Sequence, residues 1–230
     1  MKVTDYLKDE NKTYFSFEII PPFRGGSIDQ IFSLVEELMK FEPPFIDLTS
    51  RSAEEYYQDD GSGNLVQHIR RKRPGTIGIS AAIKNKFNVE TVPHLLCSGF
   101  SKEETEDALI ELNYLGIKNV LALRGDDLRK GRNEINSKIS NGYASDLVKQ
   151  IKNMNEGKYL EPLIDPTKSD FCVGVSGYPE KHFEAIDFKT DIKYLKEKVE
   201  NGADYIVTQM FFDNKVYFDF VERCRKEGIN

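Results

Sequence analysis

The chain has no tryptophan, only three histidines and only three cysteines. Cys97, Cys172 and Cys224 stand far apart, with no CxxC pair and no zinc-ligand spacing. Neither a redox dithiol nor a structural zinc site is expected from them. Cys97 and Cys172 lie in or beside apolar runs and read as buried thiols, which suits a reducing compartment. His68, His94 and His182 share no metal-ligand spacing either, and no metal is expected. No apolar run approaches the roughly 20 residues that span a bilayer. The N-terminus lacks the apolar core of a signal peptide, so the expected location is the cytoplasm. No G-x-G-x-x-G follows an apolar run, which lowers the odds of a Rossmann dinucleotide site. No serine or cysteine sits in a nucleophile motif, which argues against covalent catalysis. The net charge of −6 argues against a general nucleic-acid binder. The one basic run, Arg70-Arg71-Lys72-Arg73, has no interleaved aromatic residue and reads as a solvated turn.

What is present fits a globular α/β chain. Hydrophobic residues make up 39% and charged residues 30% of 230 positions, enough for one barrel or two small domains. The chain is organised around Val120-Leu121-Ala122-Leu123-Arg124-Gly125-Asp126. This apolar run has the bareness of a strand buried on both faces, and it ends on a cation, a glycine and an anion. Similar runs at 13–20, 45–50, 91–97, 171–178 and 204–212 read as strands. Helical patterns fill 28–41, 76–87, 144–155, 187–201 and 214–226. A further helix ends at Leu115 and opens on the capping box Ser101-Lys102-Glu103-Glu104. The polar stretch 51–75 reads as a long loop, with a turn at Asp59-Asp60-Gly61-Ser62-Gly63. Six β–α alternations predict a parallel sheet in one domain, without deciding between an open sheet and a closed barrel.

Polar residues recur where these strands run out: Glu18, Thr49, His94, Arg124 with Asp126, Tyr178 and Gln209. In a barrel all would converge on one mouth. Glu18 alternates with Phe17 and Ile19, so it faces the lumen, where desolvation should raise its pKa. His94, a lone histidine in an apolar strand, reads more readily as a structural hydrogen-bonder than as a ligand. Gln209 reads as a buried amide in need of partners, either within the core or on a substrate with an amide-like edge. Acid–base or hydride chemistry with a bound cofactor fits this set best.

Six ordered segments carry a resemblance. They are Phe15-Ser16-Phe17-Glu18 with Pro21-Pro22, Pro93-His94-Leu95-Leu96-Cys97, Leu121 to Asp126, Tyr143-Ala144-Ser145-Asp146-Leu147, Gly177-Tyr178-Pro179-Glu180 with His182, and Thr208-Gln209-Met210-Phe211-Phe212-Asp213. Together they resemble the methylenetetrahydrofolate reductase family of flavoproteins. The resemblance implies a TIM (β/α)8-type barrel that holds FAD at the strand C-termini. About six β/α units are expected here, as a single domain over 1–230 that lacks the family's last two. It implies FAD-dependent reduction of methylenetetrahydrofolate to methyltetrahydrofolate by NADH or NADPH, in two half-reactions with ping-pong kinetics. That activity belongs to one-carbon metabolism and methionine biosynthesis. In this reading Glu18 and Asp126 are the catalytic pair, and Gln209, Asp126 and Thr49 contact substrate. Thr49, Ser50, His94, Arg124, Gly125, Asp126, Tyr143, Ala144, Tyr178, His182, Ala185, Asp191 and Lys198 match positions that hold FAD. The expected partners are the nicotinamide, the folate and further copies of the chain, with no nucleic acid and no membrane. Two alternatives stand beside it: a barrel that binds flavin or folate without turnover, and another flavin-dependent barrel oxidoreductase.

Overall fold

The computed structural model describes residues 1–9, 11–50, 54–70, 73, 75–125 and 139–230. Its strands are β1 (Phe17–Ile19), β2 (Phe45–Leu48), β3 (Glu54–Asp59), β4 (Leu65–Arg70), β5 (Glu90–Leu96), β6 (Asn119–Leu123), β7 (Cys172–Gly177) and β8 (Tyr205–Thr208). Its α-helices are α1 (Val3–Tyr6), α2 (Ile28–Leu38), α3 (Thr76–Phe87), α4 (Lys102–Tyr114), α5 (Ala144–Asn155), α6 (Phe188–Glu200) and α7 (Asn214–Lys226). A 3-10 turn at Met39–Phe41 extends α2. Six strands form one parallel sheet in the order β1-β2-β5-β6-β7-β8, as the β–α alternation predicts. Among the described residues β1 and β8 are its edges, so the expected six β/α units, a barrel without its last two, are present as a six-stranded parallel sheet with two open edges.

The period-two alternation of the strands sorts side chains to two faces. Val120 and Ala122 of β6 and Val173 and Val175 of β7 pack outward. Their partners are Leu109 and Leu112 of α4, Leu147 and Ile151 of α5, and Ile192 and Leu195 of α6. Ile19, Ile46 and Leu48 meet Ile31 and Val35 of α2 and Ile79 and Ile83 of α3 in the same way. The other parity faces inward. Val92, Leu121 and Cys172 form an inner cluster with Phe45, Leu123 and Tyr205. Val3 of α1 closes that cluster from the N-terminal end of the strands. Its backbone N–H donates to Asn119 Oδ1 at 2.9 Å, which anchors the short helix to the start of β6. Four residues are too few to show a helical period, and α1 was not expected from the sequence.

The polar stretch 51–75 holds a two-stranded antiparallel sheet, β3 with β4, rather than loop alone. The expected turn is present. The Asp60 carboxylate accepts from Ser62 N at 2.8 Å and Ser62 Oγ at 2.6 Å. These bonds pull its pKa down to about 2. Gly61 and Gly63 take φ of 85° and 87°, which favours glycine. Beyond β4, the Arg73 guanidinium lies 4.0 Å from the Phe23 ring centre and donates to the Pro21 carbonyl. The hairpin is thereby tied to the segment that follows β1.

Candidate functional site

The rim formed by the C-terminal ends of the strands carries most of the expected residues. On its first side, Thr49 N donates to Ile19 O at 3.0 Å, extending the β1–β2 ladder by one step. That step brings Thr49 Oγ1 to 2.5 Å from Glu18 Oε1. Glu18 pairs in register with Asp47, so the two carboxylates are neighbours on the inner face. Asp47 Oδ1 lies 3.8 Å from His94 Nε2, an ion-pair separation rather than a hydrogen bond. His94 is only 5% exposed. Ser50 follows Thr49 and is half-buried.

Glu18 itself is exposed, which differs from the desolvated lumen position expected for it. The cause is its strand: β1 is an edge, and no strand covers its far side among the described residues. Gln209 departs from expectation for the same reason. It follows edge strand β8 and is exposed, with its N–H donating to Gly177 O at 2.7 Å. The buried amide read from its apolar neighbours is not found. Glu18 and Gln209 therefore stand on opposite edges of the sheet.

The second side of the rim gathers around β6 and β7. Ser98 N donates to Arg124 O at 2.9 Å, which carries β-type pairing past Leu123. Gly125 takes φ of 81°, a conformation open to glycine without strain. Arg124 reaches Glu184 Oε1 at 2.7 Å, and this bond lowers the Glu184 pKa. Tyr178 packs edge-on against His182 with ring centres 4.6 Å apart. His182 N donates to Asp191 Oδ2 at 3.0 Å, and Ala185 N to His182 O at 3.0 Å. Asp191, in the first turn of α6, thus holds the segment after β7 in place. Tyr143 and Ala144 open α5, where Asp146 Oδ2 accepts from Tyr143 N at 3.0 Å. Asp126 lies outside the described residues.

Lys198 Nζ donates to Ser176 O at 2.5 Å beneath this second side. Burial lowers its pKa from 10.5 to about 8, with Asp191 opposing the shift. Between those values the unfolded chain binds the extra proton, so stability from this group rises with pH. The shift is worth up to roughly 3 kcal/mol. Lys198→Met should therefore flatten the stability curve between pH 8 and pH 10 relative to the parent. Urea unfolding at several pH values checks this, and equal slopes in the two proteins would refute it.

Sequence reading missed two inward groups, Asp47 and Tyr205. Burial pushes the Asp47 carboxyl up while His94 pulls it down. Tyr205 packs on Gly174 of β7, and burial raises its phenol strongly. A charged or phenolic residue of inward parity in an otherwise apolar strand was the available signal. Burial pushes the Cys97 thiol up to about 12, which disfavours the thiolate. The described residues include no cluster of three or more metal-ligating side chains. No helix among them is long and apolar enough to cross a membrane.

The family model for methylenetetrahydrofolate reductase matches residues 2–230. Methylenetetrahydrofolate reductase (NADH) 1 of Arabidopsis thaliana is 33% identical over 244 residues, covering 100% of this chain and 36% of that protein. The 5,10-methylenetetrahydrofolate reductase of Escherichia coli is 30% identical over 216 residues, covering 94% of this chain and 60% of that one. The chain thus spans less than two thirds of the length of these curated relatives. Oxaloacetate acetylhydrolase shares the fold with a TM-score of 0.53 at 10% identity, over 96% of this chain and 66% of that one. The matched segment takes in every strand and helix described above, and the chain belongs to the methylenetetrahydrofolate reductase family.

Proposed function

We propose that the chain reduces methylenetetrahydrofolate to methyltetrahydrofolate with a reduced nicotinamide, NADH or NADPH, through FAD held at the strand C-termini. The observation that carries this reading is the Glu18–Thr49 pair at 2.5 Å on the inner face of the rim. Glu18 is the general acid that helps open the bridging ring of the folate. With Thr49 donating to Oε1, the other carboxyl oxygen is left to carry the transferable proton. The residues present suit a flavin nucleotide. His94 Nε2 is a buried polar atom without a partner at the rim's inner wall. Arg124 and Lys198 bring cationic groups to the opposite side, and Gly125 leaves the backbone bare there. Bound FAD supplies a two-electron carrier between nicotinamide and folate. Thr49, Ser50, His94, Arg124, Gly125, Asp126, Tyr143, Ala144, Tyr178, His182, Ala185, Asp191 and Lys198 hold it, and Gln209 with Asp126 and Thr49 contacts substrate. The cytoplasm and a homo-oligomer suit this activity.

A second reading, retention of flavin without folate turnover, is favoured by the separation of Glu18 and Gln209 on the two sheet edges. Absorption spectra decide between them. The protein reconstituted with FAD should show a flavin band that NADH bleaches without oxygen and methylenetetrahydrofolate restores. Bleaching without restoration supports the second reading. Failure to retain FAD removes both.

A further inference from the structure

The inner face carries two rows of side chains offset by two residues on β5, because Asp47 pairs in register with Val92 and His94 lies one step further along the same face. Glu18 pairs in register with Asp47, and His94, Leu121, Gly174 and Tyr205 are aligned across β5 to β8. Three polar groups in these rows are withdrawn from water: Asp47, His94 and the Tyr205 hydroxyl. Of these, His94 Nε2 and the Tyr205 hydroxyl have no hydrogen-bond partner, although buried polar atoms are almost always paired. Asp47 is the carboxylate nearest the imidazole, at 3.8 Å, and it is 15% exposed. The groups that face Asp47 are Glu18 from β1, His94 from β5 and Tyr205 from β8.

We propose that Asp47 is a positioning residue that fixes His94 as its Nε2–H tautomer, so that Nδ1 remains the accepting nitrogen. A neutral imidazole carries one proton, and a carboxylate beside one nitrogen selects which. A carboxylate that orients a histidine in this way acts through it, without touching the reacting atoms. The Asp47 charge also supplies the missing acceptor for His94 after an approach of about 0.6–0.9 Å. Tyr205 rests on Gly174, and its hydroxyl faces Asp47 from β8. The consequence for ligand binding rests on the flavin reading above: His94 presents Nδ1 as a fixed acceptor at the cofactor site. Losing it should weaken FAD binding about tenfold, equivalent to about 1.4 kcal/mol.

The test uses the whole 230-residue chain, 15N-labelled, in long-range proton–nitrogen spectra at pH 8.5. With three histidines, His94→Gln assigns the His94 signals directly. The parent should show His94 protonated at Nε2. Asp47→Ala should give a mixed or Nδ1–H tautomer, and Asp47→Asn, which keeps an accepting oxygen, should restore Nε2–H. His94 found as Nδ1–H in the parent overturns the proposal even if Asp47→Ala fails to fold. An unchanged tautomer in a folded Asp47→Ala also overturns it. FAD titration then separates the two layers of the argument. A tautomer change with unaltered FAD affinity overturns the cofactor consequence. A parent that binds no FAD defeats the flavin reading, while the spectra still decide the role of Asp47.

Discussion

On the proposed function, Glu18→Gln is expected to abolish folate reduction and to leave reduction of the flavin by nicotinamide nearly intact. The physical reason is that the two half-reactions place different demands on the protein. Hydride transfer from nicotinamide requires no proton from Glu18. Opening of the folate's bridging ring requires a positioned acid, a role worth about 100- to 10,000-fold in rate. Glutamine keeps the shape of glutamate and can still accept from Thr49 Oγ1, now 2.5 Å from Glu18 Oε1. What it lacks is the acidic proton. Anaerobic stopped-flow measurements would separate the steps, following flavin bleaching by NADH and recolouring by methylenetetrahydrofolate. Loss of both steps in parallel would reject the acid role and point to a general defect in the rim.

Gly174→Ala carries the largest expected effect on stability. A Cβ at this position would lie 2.4 Å from Tyr205 Cζ and 2.6 Å from Cε2. Real side chains do not approach so closely. The ring cannot yield easily, because Tyr205 sits in β8, paired with Gly174 itself. Either the phenol leaves the inner face or the two strands part. Overpacking of this kind costs about 1–3 kcal/mol, and direct contact with a rigid ring places this case near the upper end. Because the cost belongs to the pair, it should be non-additive. Tyr205→Leu in the Gly174→Ala background should recover much of the loss. Urea unfolding of the parent, both single variants and the double variant would measure the coupling. A Gly174→Ala protein within about 0.5 kcal/mol of the parent would show that the packing is looser than described.

The sequence was most legible where one period ran undisturbed. Helices α3, α5 and α7 fall where helical spacing put them, because their apolar stripes meet a buried sheet. β6 was equally plain, being apolar from Val120 to Leu123 between two covered faces. Legibility failed at the edges. The run 204–212 looked like one buried strand, yet β8 ends at Thr208, and Gln209, Met210 and Phe212 are exposed. Hydrophobicity alone cannot say whether a strand has one neighbour or two. The same limit misjudged the surroundings of Glu18. The hairpin in 51–75 escaped because β3 is written in polar and tyrosine residues without an apolar alternation, and it pairs only with β4. Within the site, alternation with Phe17 and Ile19 gave the side of the sheet on which Glu18 lies. Asp47 went unnoticed because a single acidic residue interrupts an apolar strand without altering its pattern.

The inner face also has a gradient along the strand direction. Val3, Phe45 and Cys172 lie at its base, and Asp47, His94, Glu18 and Thr49 lie nearer the C-terminal ends of the strands. Polarity thus rises with height, and mechanical and chemical duties are assigned to different storeys. A change at the base is felt in whether the chain holds together, whereas a change at the top is felt in which molecule is handled. Such a division lets the upper storey be rebuilt for a different guest while the foundations stay as they are.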